Sequence, residues 1–115
     1  MPSKNPAQRL RDILDNVTAI GDFTAGMDFD AFQGSRRTIY AVTRALEIIS
    51  EATRRLPDDM KARYTDLDWT AIAAAGNVYR HDYEIVDDAL IWHTVKHGLD
   101  RLDRAARIEL DRLSE

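Results

Sequence analysis

Arg37-Thr38-Ile39-Tyr40-Ala41-Val42-Thr43-Arg44-Ala45-Leu46-Glu47-Ile48-Ile49-Ser50-Glu51-Ala52 carries two apolar stripes at once. Ile39, Val42, Leu46 and Ile49 recur at three and four residues, and Phe32 and Leu56 extend the same face at either end. Ala41, Ala45, Ile48 and Ala52 form a second, narrower face. The spacing predicts a helix from about Asp30 to Arg55, ended by Pro57. Two apolar faces call for cover from two sides, by the helix's own bundle and by another subunit. The alanines of the second face permit close approach.

The chain on either side is also helical in pattern. Asn5 can cap a first helix with Pro6 at its first position, where a missing N–H costs little. Leu10, Ile13, Leu14, Val17 and Ile20 give that helix one stripe, and Gly26 with Asp28 and Asp30 marks the loop after it. Beyond the long helix, Pro57-Asp58-Asp59 opens a short helical turn through Arg63, and Asp68 caps a helix carrying Trp69, Ile72 and Ala73. A last helix runs from near Asp87 towards Leu113, with Ile91, Val95, Leu99, Leu102, Ala106, Leu110 and Leu113 stepping by three and four. Four long helices with short loops predict an all-α chain: an antiparallel up-and-down four-helix bundle with a short extra helical turn. Residues 1–115 are expected to form a single helical domain.

Composition narrows the function classes. Hydrophobic residues make up 44% and charged residues 31% of the 115, the balance of a globular chain. The absence of cysteine removes disulfides, thiolate catalysis and thiolate metal sites. No apolar run reaches membrane-spanning length, and Met1-Pro2-Ser3-Lys4-Asn5-Pro6 lacks the apolar core of a signal peptide, so a cytoplasmic location is expected. A net charge of −4 argues against broad coating of nucleic acid but is compatible with a local basic cleft.

The chemistry concentrates in Asn77-Val78-Tyr79-Arg80-His81-Asp82-Tyr83, after the small-residue run Ala73-Ala74-Ala75-Gly76. Asn77 and His81 share a helix face one turn apart. Arg80 stands four residues after Gly76, and helical side chains lean towards the N-terminus, so its stem would lie over a turn where Gly76 presents nothing. A fixed cation then stands beside a group able to titrate near neutrality, an arrangement suited to a phosphodiester. The same two residues equally suit a helix C-terminus, where cations meet the negative end of the dipole. His93 and His97 form an i, i+4 pair without a matched carboxylate, so no metal site and no cofactor is assigned. Arg36-Arg37 and Arg54-Arg55 are solvated faces or the rim of an anionic ligand site.

The stretch Arg37–Ala52, the Leu-Pro turn after it, Asp68-Trp69-Thr70-Ala71-Ile72 and His81-Asp82-Tyr83 together resemble the HepT-like family of HEPN-domain proteins, from about Arg11 to Arg104. The resemblance implies a homodimeric helical bundle acting as the toxin of a type VII toxin–antitoxin pair. It implies a metal-independent endoribonuclease with an RNA substrate, partnered by an MntA-like minimal nucleotidyltransferase that silences it by adding AMP to a motif tyrosine. The family motif is Arg, four residues, His, one residue, Tyr. His81 and Tyr83 match it, and Asn77 matches the asparagine that often follows the arginine. The arginine itself falls on Gly76. By this correspondence His81, Arg80 and Asn77 are the expected catalytic residues, with Arg80 reaching back to supply the missing charge, and Tyr83 is the expected AMP acceptor. Placing arginine at 76 should then restore the family residue on the same face. The alternative is a catalytically weak or inactive HEPN subunit that binds a partner nucleotidyltransferase. A purely structural helical dimer is the reading left if Arg80-His81 only ends a helix.

Overall fold

The structure, a computed structural model, describes residues 5–81 and 88–114, and of residues 77–81 the backbone alone. All regular structure among the described residues is helical. Helix α1 (Pro6–Phe23) starts as expected, with the Asn5 side chain accepting the Gln8 N–H at 3.2 Å, a cap worth about 1 kcal/mol. Leu10, Ile13 and Ile20 are buried, with Leu14 and Val17 packed on the same core. The chain then turns through Gly26, whose φ of 74° lies in the left-handed region that a side chain resists.

The predicted helix from Asp30 to Arg55 is two helices. Helix α2 (Phe29–Gln33) is capped by Asp28, which accepts the Ala31 N–H at 2.8 Å, and α3 (Arg36–Arg54) is capped by Ser35. Gly34 ends the first and Ser35 begins the second, so the Gly-Ser pair breaks a pattern that periodicity alone reads as continuous. The break lets Phe32 turn into the core, where it is fully buried and meets Trp92 at a centroid distance of 5.0 Å.

Helix α4 (Asp58–Lys61) is the predicted extra turn, and Asp68 caps α5 (Trp69–His81) by accepting the Ala71 N–H at 3.1 Å. The predicted last helix is also interrupted. Helix α6 (Asp88–His93) passes into a π-helical turn, Thr94–Gly98, before α7 (Asp100–Ser114). Thr94 returns its hydroxyl to the Leu90 carbonyl at 3.0 Å, a local bond that competes with the α-helical ladder, and Gly98 allows the wider turn to close. The apolar stripe survives the interruption, with Ile91, Leu99, Leu102 and Ala106 all buried.

Helix α3 is the centre of the bundle, packed against α1 on one side and α5 on the other. Of the alanine face expected to meet a second subunit, Ala45 and Ala52 are 3% and 2% exposed within this chain, where α1 and α5 pack on both sides of α3, whereas Ala41 and Ile48 are half-buried. Helices α3 and α5 run antiparallel: Arg54 donates to the Ala73 carbonyl at 2.9 Å, and Gly76 lies opposite Ser50 further along. Among the described residues, no helix is long and apolar enough to cross a membrane.

Candidate ribonuclease site

The seam between α3 and α5 is built from small residues. A Cβ added to Gly76 would stand 2.7 Å from the Ser50 Cβ, closer than side chains pack. Ser50 is itself buried, and its Cβ moves only with the backbone of α3. The position that corresponds to the family arginine is therefore a contact point between helices, filled by the absence of a side chain. This overturns the expectation that arginine fits simply at 76: any side chain there requires α5 to stand away from α3.

In this antiparallel register the last turn of α5, Asn77 to His81, runs on from Gly76, opposite Ser50 and Glu47, towards the middle of α3. The backbone of Asn77, Arg80 and His81 is helical as expected. Their side chains, and Tyr83 altogether, lie outside the described residues, so the proposed contact between Arg80 and the Gly76 face does too.

Further along in that direction, the N-terminal half of α3 carries Arg36, Arg37, Tyr40 and Arg44. All four are exposed, Tyr40 at 67%, and among the described residues neither Arg36 nor Arg37 has an ionic partner. Arg44 pairs at the surface with Glu47 at 3.1 Å. Three exposed arginines and an exposed tyrosine on one stretch of helix suit a phosphate backbone with an unstacked base. Sequence reading left Arg36-Arg37 open between solvated face and ligand rim, and did not connect them with Tyr40.

The most perturbed titratable groups among those described lie between the loop after α4 and α7. Glu109 of α7 is 2% exposed, yet its carboxylate accepts from the Tyr64 hydroxyl at 2.6 Å and from Arg63, with Arg112 at 3.8 Å. Burial pushes this carboxyl up, but hydrogen bonds from Arg63 and Tyr64 and the charges of Arg63 and Arg112 outweigh it and hold the pKa below the ordinary value. Burial and the adjacent Glu109 push the Tyr64 phenol up to about 12. Perturbed groups often mark active sites. Here every partner is internal, and the adjoining cavity, about 10 Å³ between Leu10, Met60, Trp69 and Leu102, has no room for a substrate. The cluster fastens the loop after α4 to α7. Its only sequence signal was a glutamate at a position where the stripe of the last helix is otherwise apolar, four residues after Ala105.

Among the described residues no three His, Asp or Glu side chains converge as a metal site would require. His93 and His97 do meet, with ring centroids 4.9 Å apart.

Comparison with known proteins follows the same stretch of chain. The family described as Ribonuclease HepT-like matches residues 13–108. A Methanocaldococcus jannaschii protein named "Putative RNase MJ0127" is 38% identical over 95 residues, covering 83% of this chain and 78% of that one. A Thermococcus cleftensis protein named "Probable ribonuclease HepT" is 36% identical over 93 residues, covering 81% and 84% respectively. No solved structure matches the chain. The match over residues 13–108, from within α1 to within α7, shows that this chain belongs to the HepT-like ribonuclease family.

Proposed function

We propose that the protein is a metal-independent endoribonuclease, the toxin of a type VII pair, silenced when a minimal nucleotidyltransferase of the MntA type adds AMP to Tyr83. The observation that carries this reading is the family match across the bundle together with His81 and Tyr83 at the motif spacing. His81 takes the proton from a ribose 2′-hydroxyl, the 2′-oxygen bonds to phosphorus, and the bond to the 5′-oxygen breaks as that oxygen regains a proton. Arg80 stabilises the negative charge that builds on the phosphorane oxygens, and Asn77 orients the phosphate or the imidazole. No metal or cofactor enters this chemistry. The exposed arginines of α3 would add positive charge along an RNA strand held by this site. A homodimer in the cytoplasm completes the reading, with one cleft drawn from two copies of His81. AMP on Tyr83 adds bulk and a negative phosphate where RNA phosphates approach.

A second reading has its own observation. Gly76, buried against Ser50, leaves the motif's arginine position without a side chain, which favours a weak or inactive subunit that binds the nucleotidyltransferase without cutting RNA. Co-expression separates the two. With the nucleotidyltransferase present, peptide mass analysis should find AMP on Tyr83 and cellular RNA should stay intact; without it, RNA should be degraded and growth should stop. AMP on Tyr83 with RNA intact in both cases would establish the second reading instead.

A further inference from the structure

A second site lies where α6 enters the π-helical turn. Phe29, Ala89, Trp92, His93, Lys96 and His97 line a concavity of about 260 Å³, just below the range of roughly 300–1,000 Å³ usual for small-molecule clefts. Its floor is Trp92, braced from the core side by Phe32 at 5.0 Å and flanked by Phe29 at 6.5 Å. The Lys96 ammonium sits 4.7 Å from the Trp92 ring centroid. The rings of His93 and His97, one turn apart on the helix, lie 4.9 Å apart at 50°, and the π-turn that begins at Thr94 is of a kind that often accompanies function. No acidic side chain lines the concavity among the described residues, although the chain as a whole carries −4.

Two ligand chemistries fit adjacent imidazoles, and the neighbours decide between them. A divalent metal needs more ligands than two, and no third His, Asp or Glu converges here among the described residues. The Lys96 ammonium would also repel a dication. A nucleotide uses every group present: a flat base on the braced Trp92 face, imidazoles to stack on it or donate to it, and an ammonium for its phosphate. A base entering over Trp92 takes the place of Lys96 and leaves that cation beside the phosphate. We propose that the Trp92–His93–Lys96–His97 concavity is a binding site for one nucleotide of single-stranded RNA, separate from the bond that is cut. It deepens the ribonuclease reading and rests on it for the choice of RNA over a free nucleotide.

The test measures binding apart from cleavage. A fluorescent single-stranded oligonucleotide with 2′-O-methyl riboses cannot be cut by attack of a 2′-hydroxyl, so its anisotropy reports affinity alone, with AMP as a parallel probe. Lys96→Ala and His97→Ala change exposed side chains and should each weaken oligonucleotide binding several-fold, and the double variant by about tenfold or more. Lys96→Ala should also flatten the salt dependence by about 0.7 in log–log slope, the loss of one phosphate contact on a single strand. Trp92→Phe keeps a ring against Phe32 and should weaken binding less than Trp92→Ala, once circular dichroism shows both folded. Unchanged oligonucleotide affinity in the Lys96 and His97 variants overturns the proposal, as does a wild type that binds neither probe. Loss of AMP binding alone, with the oligonucleotide unaffected, makes this a free-nucleotide site and overturns the RNA assignment. Cleavage of unmodified RNA is followed in the same proteins. A wild type that binds but never cuts leaves this site standing and removes the ribonuclease reading. A wild type that cuts while the variants bind normally does the reverse.

Discussion

Two contacts of the bundle hold their elements by opposite means. Between the loop after α4 and α7, a buried glutamate is gripped by a phenol and guanidiniums. At the seam with α5, a glycine lies against a serine at a separation that admits no further atom. The first contact is directional, and its chemistry can be altered one partner at a time. The second depends on backbone approach, so it constrains which residues can exist at position 76 more tightly than any hydrogen bond would. On the proposed motif correspondence, the family's arginine position falls on the second kind of contact, and charge for a transition state would come from a neighbouring turn or be lacking.

The widest gap between the two contacts should appear on substitution at 76. Gly76→Arg forces α5 away from α3 and buries a charge, and should destabilise by about 4 kcal/mol or more, or prevent folding. Ser50→Gly in the same chain removes the atom that a Cβ would strike and should restore part of that loss. Denaturant midpoints of the single and double variants check this; an unperturbed Gly76→Arg would show that the seam is loose.

The polar contact should respond by about 3 kcal/mol. Glu109→Ala leaves the Tyr64 hydroxyl and Arg63 without their shared acceptor and opens a space beside Leu102 and Ala106. Glu109→Gln, which keeps the volume and one acceptor, should cost less, and urea denaturation orders the three proteins.

The smallest of these effects is in pH. Tyr64 has its pKa raised from 10.0 to about 12, so its contribution to stability is complete below pH 10.0 and is lost as pH rises from there towards 12. Glu109 works in the other direction: its lowered pKa contributes above the ordinary carboxylate value and is lost as pH falls through the lowered one. Melting temperature should therefore fall at both extremes. Tyr64→Phe should flatten the alkaline side, by on the order of 1 kcal/mol, and soften the acid side, because Glu109 loses one of the hydrogen bonds that lower its pKa; an unchanged alkaline limb would place the tyrosine outside the network.

What could be read from sequence follows the same division. Periodicity found the helices and most of the core because apolar burial repeats at helical spacing, as Leu10, Ile13, Val42, Leu46 and Ile49 all show. Caps at Asn5 and Asp68 were readable because they are local. The break at Gly34-Ser35 was missed because Phe32 keeps the stripe in phase across it. The π-turn escaped because one extra residue per turn scarcely disturbs an apolar period. Glu109 and Gly76 were opaque for a deeper reason. Their partners, Tyr64 and Ser50, are distant in sequence, and nothing local records the meeting. Motif spacing puts His81 and Tyr83 forward through family resemblance, whereas the packing of glycine at 76 shows only where two helices meet.

The central claim is that His81 cuts RNA although position 76 holds no arginine. It is tested most directly by the rate at which the purified protein, freed of AMP and held in excess EDTA, cleaves RNA, compared with folded His81→Ala. The wild type should cleave, the chelator should make no difference, and His81→Ala should lose roughly a hundredfold to ten-thousandfold in rate. A wild type without activity, or a His81→Ala variant that cuts as well as its parent, would contradict the account.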